Sequence, residues 1–164
     1  MRILVAPLAV LLLSACWQVE GETVPAEAAI RAEGVKDGLY RRSDGSELAV
    51  RWNAAEKLYD IGGGGVGKAR AMPAGGGLTL VQFTGNLRVA LLATRKGDDL
   101  VMLAPAPEAN KALTARHGVT VRPGPINHLT GTPVAVKAYL AEAAALPAAQ
   151  LVEAGRLKFV GELK

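Results

Sequence analysis

The sequence predicts an α+β fold: mainly an antiparallel β-meander, either an open curled sheet or a small barrel, with one or two C-terminal helices packed on one face. Three observations lead there. Between residues 37 and 105, short apolar runs alternate with polar positions and are divided by tight-turn residues. Connections of about two to five residues are too short for parallel crossovers, so these strands pair antiparallel. Helical periodicity begins only in the last third, and strands followed by helices is the order that places helices against one sheet face.

Residues 39–42 and 47–52 flank Ser43-Asp44-Gly45-Ser46, a hairpin signal. Leu48, Val50 and Trp52 alternate with Ala49 and Arg51, which gives that run one buried face. A strand over 57–61 follows. Residues 68–72 read as an edge strand, because Pro73 cannot donate to a ladder. Runs 78–84 and 87–95 are joined by Gly85-Asn86, and 100–104 returns after Lys96-Gly97-Asp98-Asp99.

Residues 107–117 read as a helix, with Lys111, Arg116 and His117 towards its negative end and Gly118 as its stop. A short strand over 119–122 leads into a loop holding Pro123, Gly124, Pro125 and Gly131. Thr132 is then an N-cap and Pro133 the first helical residue. Val136, Tyr139, Leu140 and Ala143 form one apolar stripe suited to a sheet, and Pro147 ends the helix. Residues 157–163 make a final strand. Aromatics are scarce, so the expected core is small aliphatics with Trp52, Tyr59, Phe83 and Tyr139 as its large members.

The N-terminal end carries an address. Arg2 precedes an apolar run over 3–13, broken only by Pro7, and small residues lead to Cys16. That is the layout of a secretory signal, and it is shorter than the roughly 20 apolar residues needed to span a bilayer. Leu13-Ser14-Ala15-Cys16 resembles the lipobox of bacterial lipoproteins, and the resemblance covers the first sixteen residues. It implies cleavage between Ala15 and Cys16 and acylation of Cys16 with palmitate-type chains. Two or more such chains hold a protein stably at a membrane. Trp17, standing where aspartate is linked to inner-membrane retention, implies an outer-membrane location facing the periplasm. The expected organisation is a signal peptide over 1–15, a lipidated tether over 16–36 and one globular domain over 37–164. Gly21, Pro25 and Gly34 punctuate the tether, and Glu20, Glu22, Glu27 and Glu33 make it acidic. Residues 25–32 hold two helical turns at most.

Removing residues 1–15 from 164 leaves 149, which suits one domain with a cooperative core. The formal charge of +4 falls to +3 with the loss of Arg2, and no block of like charges marks a nucleic-acid arm. Cys16 is the single cysteine, so once it is acylated disulfides, thiol nucleophiles and zinc-thiolate sites are excluded together. Gly62-Gly63-Gly64-Gly65-Val66-Gly67-Lys68 has the spacing of a phosphate-binding loop, but Ala69 replaces the metal-holding hydroxyl residue. Met72-Pro73 and Gly75-Gly76-Gly77 also deny it the following helix. It reads as a glycine loop between strands, with no nucleotide.

His117 has a structural role at a helix end. His117 and His128 lack the spacing of a metal site. Ser43 and Ser46 fall in a turn without a nucleophile elbow, and Asp98-Asp99 serve turn chemistry. No catalytic or metal residue is assigned. Arg122, Asn127 and His128 make the densest polar cluster of the proline-rich loop and are the expected binding surface. The expected function is a lipid-anchored, non-catalytic cell-envelope protein that binds or organises an envelope protein or polysaccharide. It needs no cofactor and takes no nucleic acid. The alternatives are a lipid or small-molecule carrier with a pocket between sheet and helix, and an envelope hydrolase using His128.

Overall fold

Short strands with tight turns make most of the chain into one curved wall. The structure is a computed structural model and describes residues 15–62, 67–85 and 88–163. The expected signal segment over 1–14, the glycines at 63–65 and the Asn86 turn residue lie outside the described residues.

Seven strands run in sequence as an antiparallel meander: β2 (Gly38–Arg41), β3 (Glu47–Asn53), β4 (Leu58–Gly62), β5 (Gly67–Gly75), β6 (Leu78–Thr84), β7 (Val89–Lys96) and β8 (Asp99–Pro105). The turn before β3 forms as its residues dictate: Asp44 Oδ1 accepts from the Ser46 backbone N–H at 2.8 Å and from its hydroxyl at 2.6 Å. The final strand, β11 (Leu151–Glu162), pairs antiparallel with β8 on one side and β2 on the other. That closes an eight-stranded barrel, so of the two sheet forms expected it is the closed one. Closure also needs Gly38, since a Cβ there would lie 2.5 Å from both the Phe159 ring and the Gly161 carbonyl oxygen.

Two expectations change here. β5 is not an edge strand: it pairs with β4 over Gly67 to Ala69 and with β6 along its length. Pro73 lies beyond the part that meets β4, so its missing donor leaves that ladder intact. The last strand is also longer than the 157–163 expected, because Gly155 and Gly161 sit at register shifts that let one strand serve two partners.

The barrel interior holds Tyr40, Leu48, Val50, Tyr59 and Ala71, with Leu100, Leu157 and Phe159 packed against them. Nearer the other end it is filled by Cys16, Val89 and Leu91 with Phe83, Met102 and Ile126. Tyr40 and Phe159 meet edge to face at 5.3 Å between centroids, and Trp52 and Tyr59 at 5.0 Å. The outer wall over β5 to β8 is covered by α1 (Pro107–His117) and α2 (Pro133–Ala144). Gly118, in the left-handed region at φ 63°, stops α1 as its sequence position predicts. The Thr132 hydroxyl caps α2 by accepting from Ala135 N–H at 3.2 Å. The stripe Val136, Tyr139, Leu140 and Ala143 is buried against Leu80, Leu92 and Trp17.

Residues 16–36 are not a tether; they belong to the domain. Cys16–Gln18 is a strand, β1, and Trp17, Val19, Val24, Ala29 and Ala32 are each under a tenth exposed. The acidic residues that suggested a spacer are interspersed irregularly among these apolar ones, which drive the segment onto the barrel. Its backbone is hydrogen-bonded at intervals: Val19 N–H to the Arg88 carbonyl, Ile30 N–H to the Ala71 carbonyl and Ala32 N–H to the Tyr59 hydroxyl oxygen. Residues 30–37 then cross the barrel end beside the β3–β4 and β7–β8 turns, where Ala32 and Val35 join the interior cluster. Within 25–32 only Ala26–Ala28 is helical, as a single 3-10 turn.

Gln82 fixes the middle of this strap. It is 1 % exposed; its Oε1 accepts from the Thr23 and Val24 N–H groups at 2.8 and 2.9 Å, and its Nε2 donates to the Gly21 carbonyl at 2.9 Å. Gln82→Leu leaves three backbone groups without partners, two of them buried. We expect a loss of about 2–4 kcal/mol, read as a fall in Tm of roughly 5–12 °C. A fall too small to resolve would mean that the strap is not held by this side chain.

Candidate functional site

One end of the barrel collects the residues singled out in the sequence. β1 pairs antiparallel with β7, setting Cys16 against Leu91 and Gln18 against Val89. On its other edge β1 pairs in parallel with β10 (Asn127–Thr130), so Trp17 lies beside Asn127 and Gln18 beside His128. A hairpin joins β10 to β9 (Thr120–Arg122) and places His128 opposite Arg122. Arg122 and His128 are thus brought together on one face, while Asn127, next to His128 in β10, belongs to the opposite face, that of buried Leu129; all three stand near the strand that begins with Cys16. Arg122 and His128 are exposed and Asn127 is half-buried.

Ala15 is fully buried, and Cys16 turns its side chain inward, 8 % exposed, against Val89 and Leu91. Burial pushes its thiol up to about 11 from an ordinary 9.0, with the Arg42 guanidinium pulling weakly the other way. Trp17 points the opposite way and meets Tyr139 edge to face at 5.8 Å, which ties β1 to α2.

Other side chains weighed in the sequence have structural partners. His117 does stand at the C-terminus of α1, and its Nε2 lies 2.6 Å from Glu142 Oε2 on α2, where Arg116 also pairs with Glu142. Ser43 and Ser46 lie in the β2–β3 turn, with Ser46 bonded to Asp44. Asp98 pairs with Lys36, and Asp99 accepts from Arg156 and from the Phe159 N–H. Gly67, Lys68 and Ala69 open β5, so a strand follows the glycine run where a phosphate loop requires a helix. Among the described residues no three His, Cys, Asp or Glu side chains gather closely enough to hold a metal ion.

A cleft of about 390 Å³ opens on the outer wall at this same end, lined by Glu22, Arg70, Gln82, Thr84, Gly85 and Arg88. Arg70 faces Gln82 across β5 and β6, and Thr84 faces Lys68. The Arg70 side chain, 23 % exposed, pairs with Glu22 through Nη1, while its buried Nε has no hydrogen-bond partner among the described residues. Arg88 donates from Nη1 to the Glu20 carbonyl at 2.9 Å. Sequence reasoning missed this cleft, because Arg70 stands on β5 and Arg88 in the connection before β7. The one local signal was Lys68 and Arg70 two apart, and so on one face of β5.

No family model, no curated protein and no solved structure matches this chain.

The buried thiol has a direct consequence in the unacylated protein. A raised acid pKa means that the folded state keeps the proton, so at a given pH the thiolate fraction falls about a hundredfold below that of an ordinary cysteine. We expect iodoacetamide at pH 8 to label Cys16 far more slowly in the folded protein than in denaturant, with the rate climbing until about pH 11. Equal rates in both states would contradict the inward placement of Cys16.

Proposed function

We propose that this chain is a lipid-anchored, non-catalytic cell-envelope protein that binds another envelope component beside its anchor. In this reading the signal is removed behind Ala15, Cys16 carries the acyl chains, and the protein stands on the outer membrane facing the periplasm. The observation that carries it is the pairing of β1 with β10: the residue with the lipobox-like context and the polar group Arg122, Asn127 and His128 share neighbouring strands. Anchoring and recognition then act at one end of the barrel. Acylation at Sγ turns the Cys16 side chain out of its contact with Val89 and Leu91, while Trp17 and Gln18 keep theirs. The partner is an envelope protein or polysaccharide, met through the Arg122 guanidinium and the His128 imidazole, which offer hydrogen bonds to polar groups.

The geometry favours binding over carriage. A ligand carried between sheet and helices would need the space that Leu80, Leu92, Tyr139 and Leu140 fill, and each of these is under a twentieth exposed. The hydrolase reading gains no support either, since the serines lie in the β2–β3 turn and not on the β9–β10 hairpin that carries His128.

The test is the intact mass of the protein recovered from membranes, beside a Cys16→Ala variant. The expected mass is that of 16–164 plus acyl chains, lost in the variant. In cells cross-linked before recovery, a specific partner should be retained by the anchored protein and lost on replacing Arg122 and His128, both exposed, with Tm unchanged. An unacylated full-length mass in the soluble fraction would overturn the anchor. A partner captured equally by the double variant would overturn the assigned surface.

A further inference from the structure

We infer that the cleft formed by β5, β6 and Arg88 is a phosphate-binding site, taking a phosphate group offered by a lipid headgroup or by a free phosphate. Two guanidinium groups, one from β5 and one from the residue that precedes β7, line it against the single carboxylate of Glu22. Guanidinium is the side chain best shaped for phosphate, because its N–H groups form a rigid fork that binds two oxygens at once. Arg70 holds Glu22 through Nη1, and its buried Nε, on the other edge of the guanidinium, has no acceptor among the described residues. Gln82 cannot answer that need, since its oxygen takes the Thr23 and Val24 N–H groups and its amide donates to Gly21. It is wall, and it holds the cleft's floor rigid. The Thr84 hydroxyl makes only a long bond, 3.3 Å, to the Lys68 carbonyl and can turn towards a ligand.

Competition and geometry select phosphate over a carboxylate. Arg70 already has an intramolecular carboxylate at high effective concentration, and a second monovalent carboxylate gains little by displacing it. Free phosphate carries more charge than a carboxylate, a lipid phosphodiester carries one charge as a carboxylate does, and each sets its oxygens tetrahedrally, so that different ones can face Arg70 and Arg88. Position supplies one source. The Arg88 carbonyl accepts from Val19 N–H at 3.0 Å, and β1 pairs with β7 immediately after Arg88. The cleft therefore opens at the barrel end bearing Cys16, where lipid phosphates lie if Cys16 is acylated. The headgroup source rests on the proposed anchor; the free-phosphate source does not.

The experiment uses the full-length protein in a non-ionic detergent and follows the arginine Nε–Hε NMR signals. Inorganic phosphate is titrated in one arm, and phosphatidylglycerol is added to the same micelles in the other. Saturable shifts of the Arg70 and Arg88 signals are expected. Glu22→Gln, at an exposed position, should fold normally and bind about three- to tenfold tighter because the competing carboxylate is gone, and Arg88→Gln should bind about tenfold weaker. A response to both probes assigns a site for phosphate itself, and a response to the lipid alone assigns a headgroup site; either supports the inference. No saturable shift with either probe overturns it, as does an affinity untouched by both Glu22→Gln and Arg88→Gln. The phosphate arm reads the cleft whether or not Cys16 is acylated, so its failure and the failure of the anchor are told apart.

Discussion

The two-sided pairing of β11 is the constraint on which the rest of this molecule depends. A meander alone is a curled sheet with two open edges, and open edges invite pairing with other chains. β11 meets β8 along one edge and β2 along the other, and so joins the end of the domain to its beginning. The seam tolerates little change: Phe159 packs on Tyr40 only because Gly38 has no side chain to stand in its way. The chain has one cysteine and therefore no internal disulfide. Closure and the two apolar layers, inside the wall and outside it, supply its cohesion.

Closure also decides where function can reside. The interior is filled by aromatic and aliphatic side chains, so the surfaces open to a partner are the rims and the outer wall. The helices and the N-terminal strap cover much of that wall. What stays polar and reachable at the Cys16 end is the β9–β10 hairpin and the arginine cleft, on either side of the strand that leads from Cys16 into the domain. With that strand inside the sheet, the anchor proposed at Cys16 would hold the barrel end close to the lipid surface, without the spacer that a tether over 16–36 would give.

Much of the fold was legible because its signals are local. Asp44 and Gly45 define a hairpin, Gly118 ends α1, and Thr132-Pro133 starts α2, each through chemistry confined to a few residues. The alternation of Leu48 and Val50 marked an inward face for the same reason. What escaped was non-local. Nothing near Trp17 announces a parallel partner at Asn127, and nothing near Gln82 announces that its amide will hold Gly21, Thr23 and Val24. The strap was misread because Glu20, Glu22, Glu27 and Glu33 raise its mean polarity, while Trp17, Val19, Val24, Ala29 and Ala32 bury themselves singly without a regular period. Of the candidate site, the polar cluster of Arg122, Asn127 and His128 was visible as composition. Its adjacency to Cys16 and the convergence of Arg70 and Arg88 on one cleft were not, since both depend on how strands register with one another and not on any local sequence signal.

The central claim is that the segment after Cys16 is part of the barrel rather than a leash to it. Amide hydrogen exchange measures this directly at Val19, Thr23, Val24, Ile30 and Ala32, whose N–H groups donate to Arg88, Gln82, Ala71 and Tyr59. The account predicts that these amides exchange slowly and in step with those of the strands they join, as one cooperative unit. Exchange at the rate of an unstructured peptide across 17–36, beside protected barrel strands, would contradict it and restore the tether.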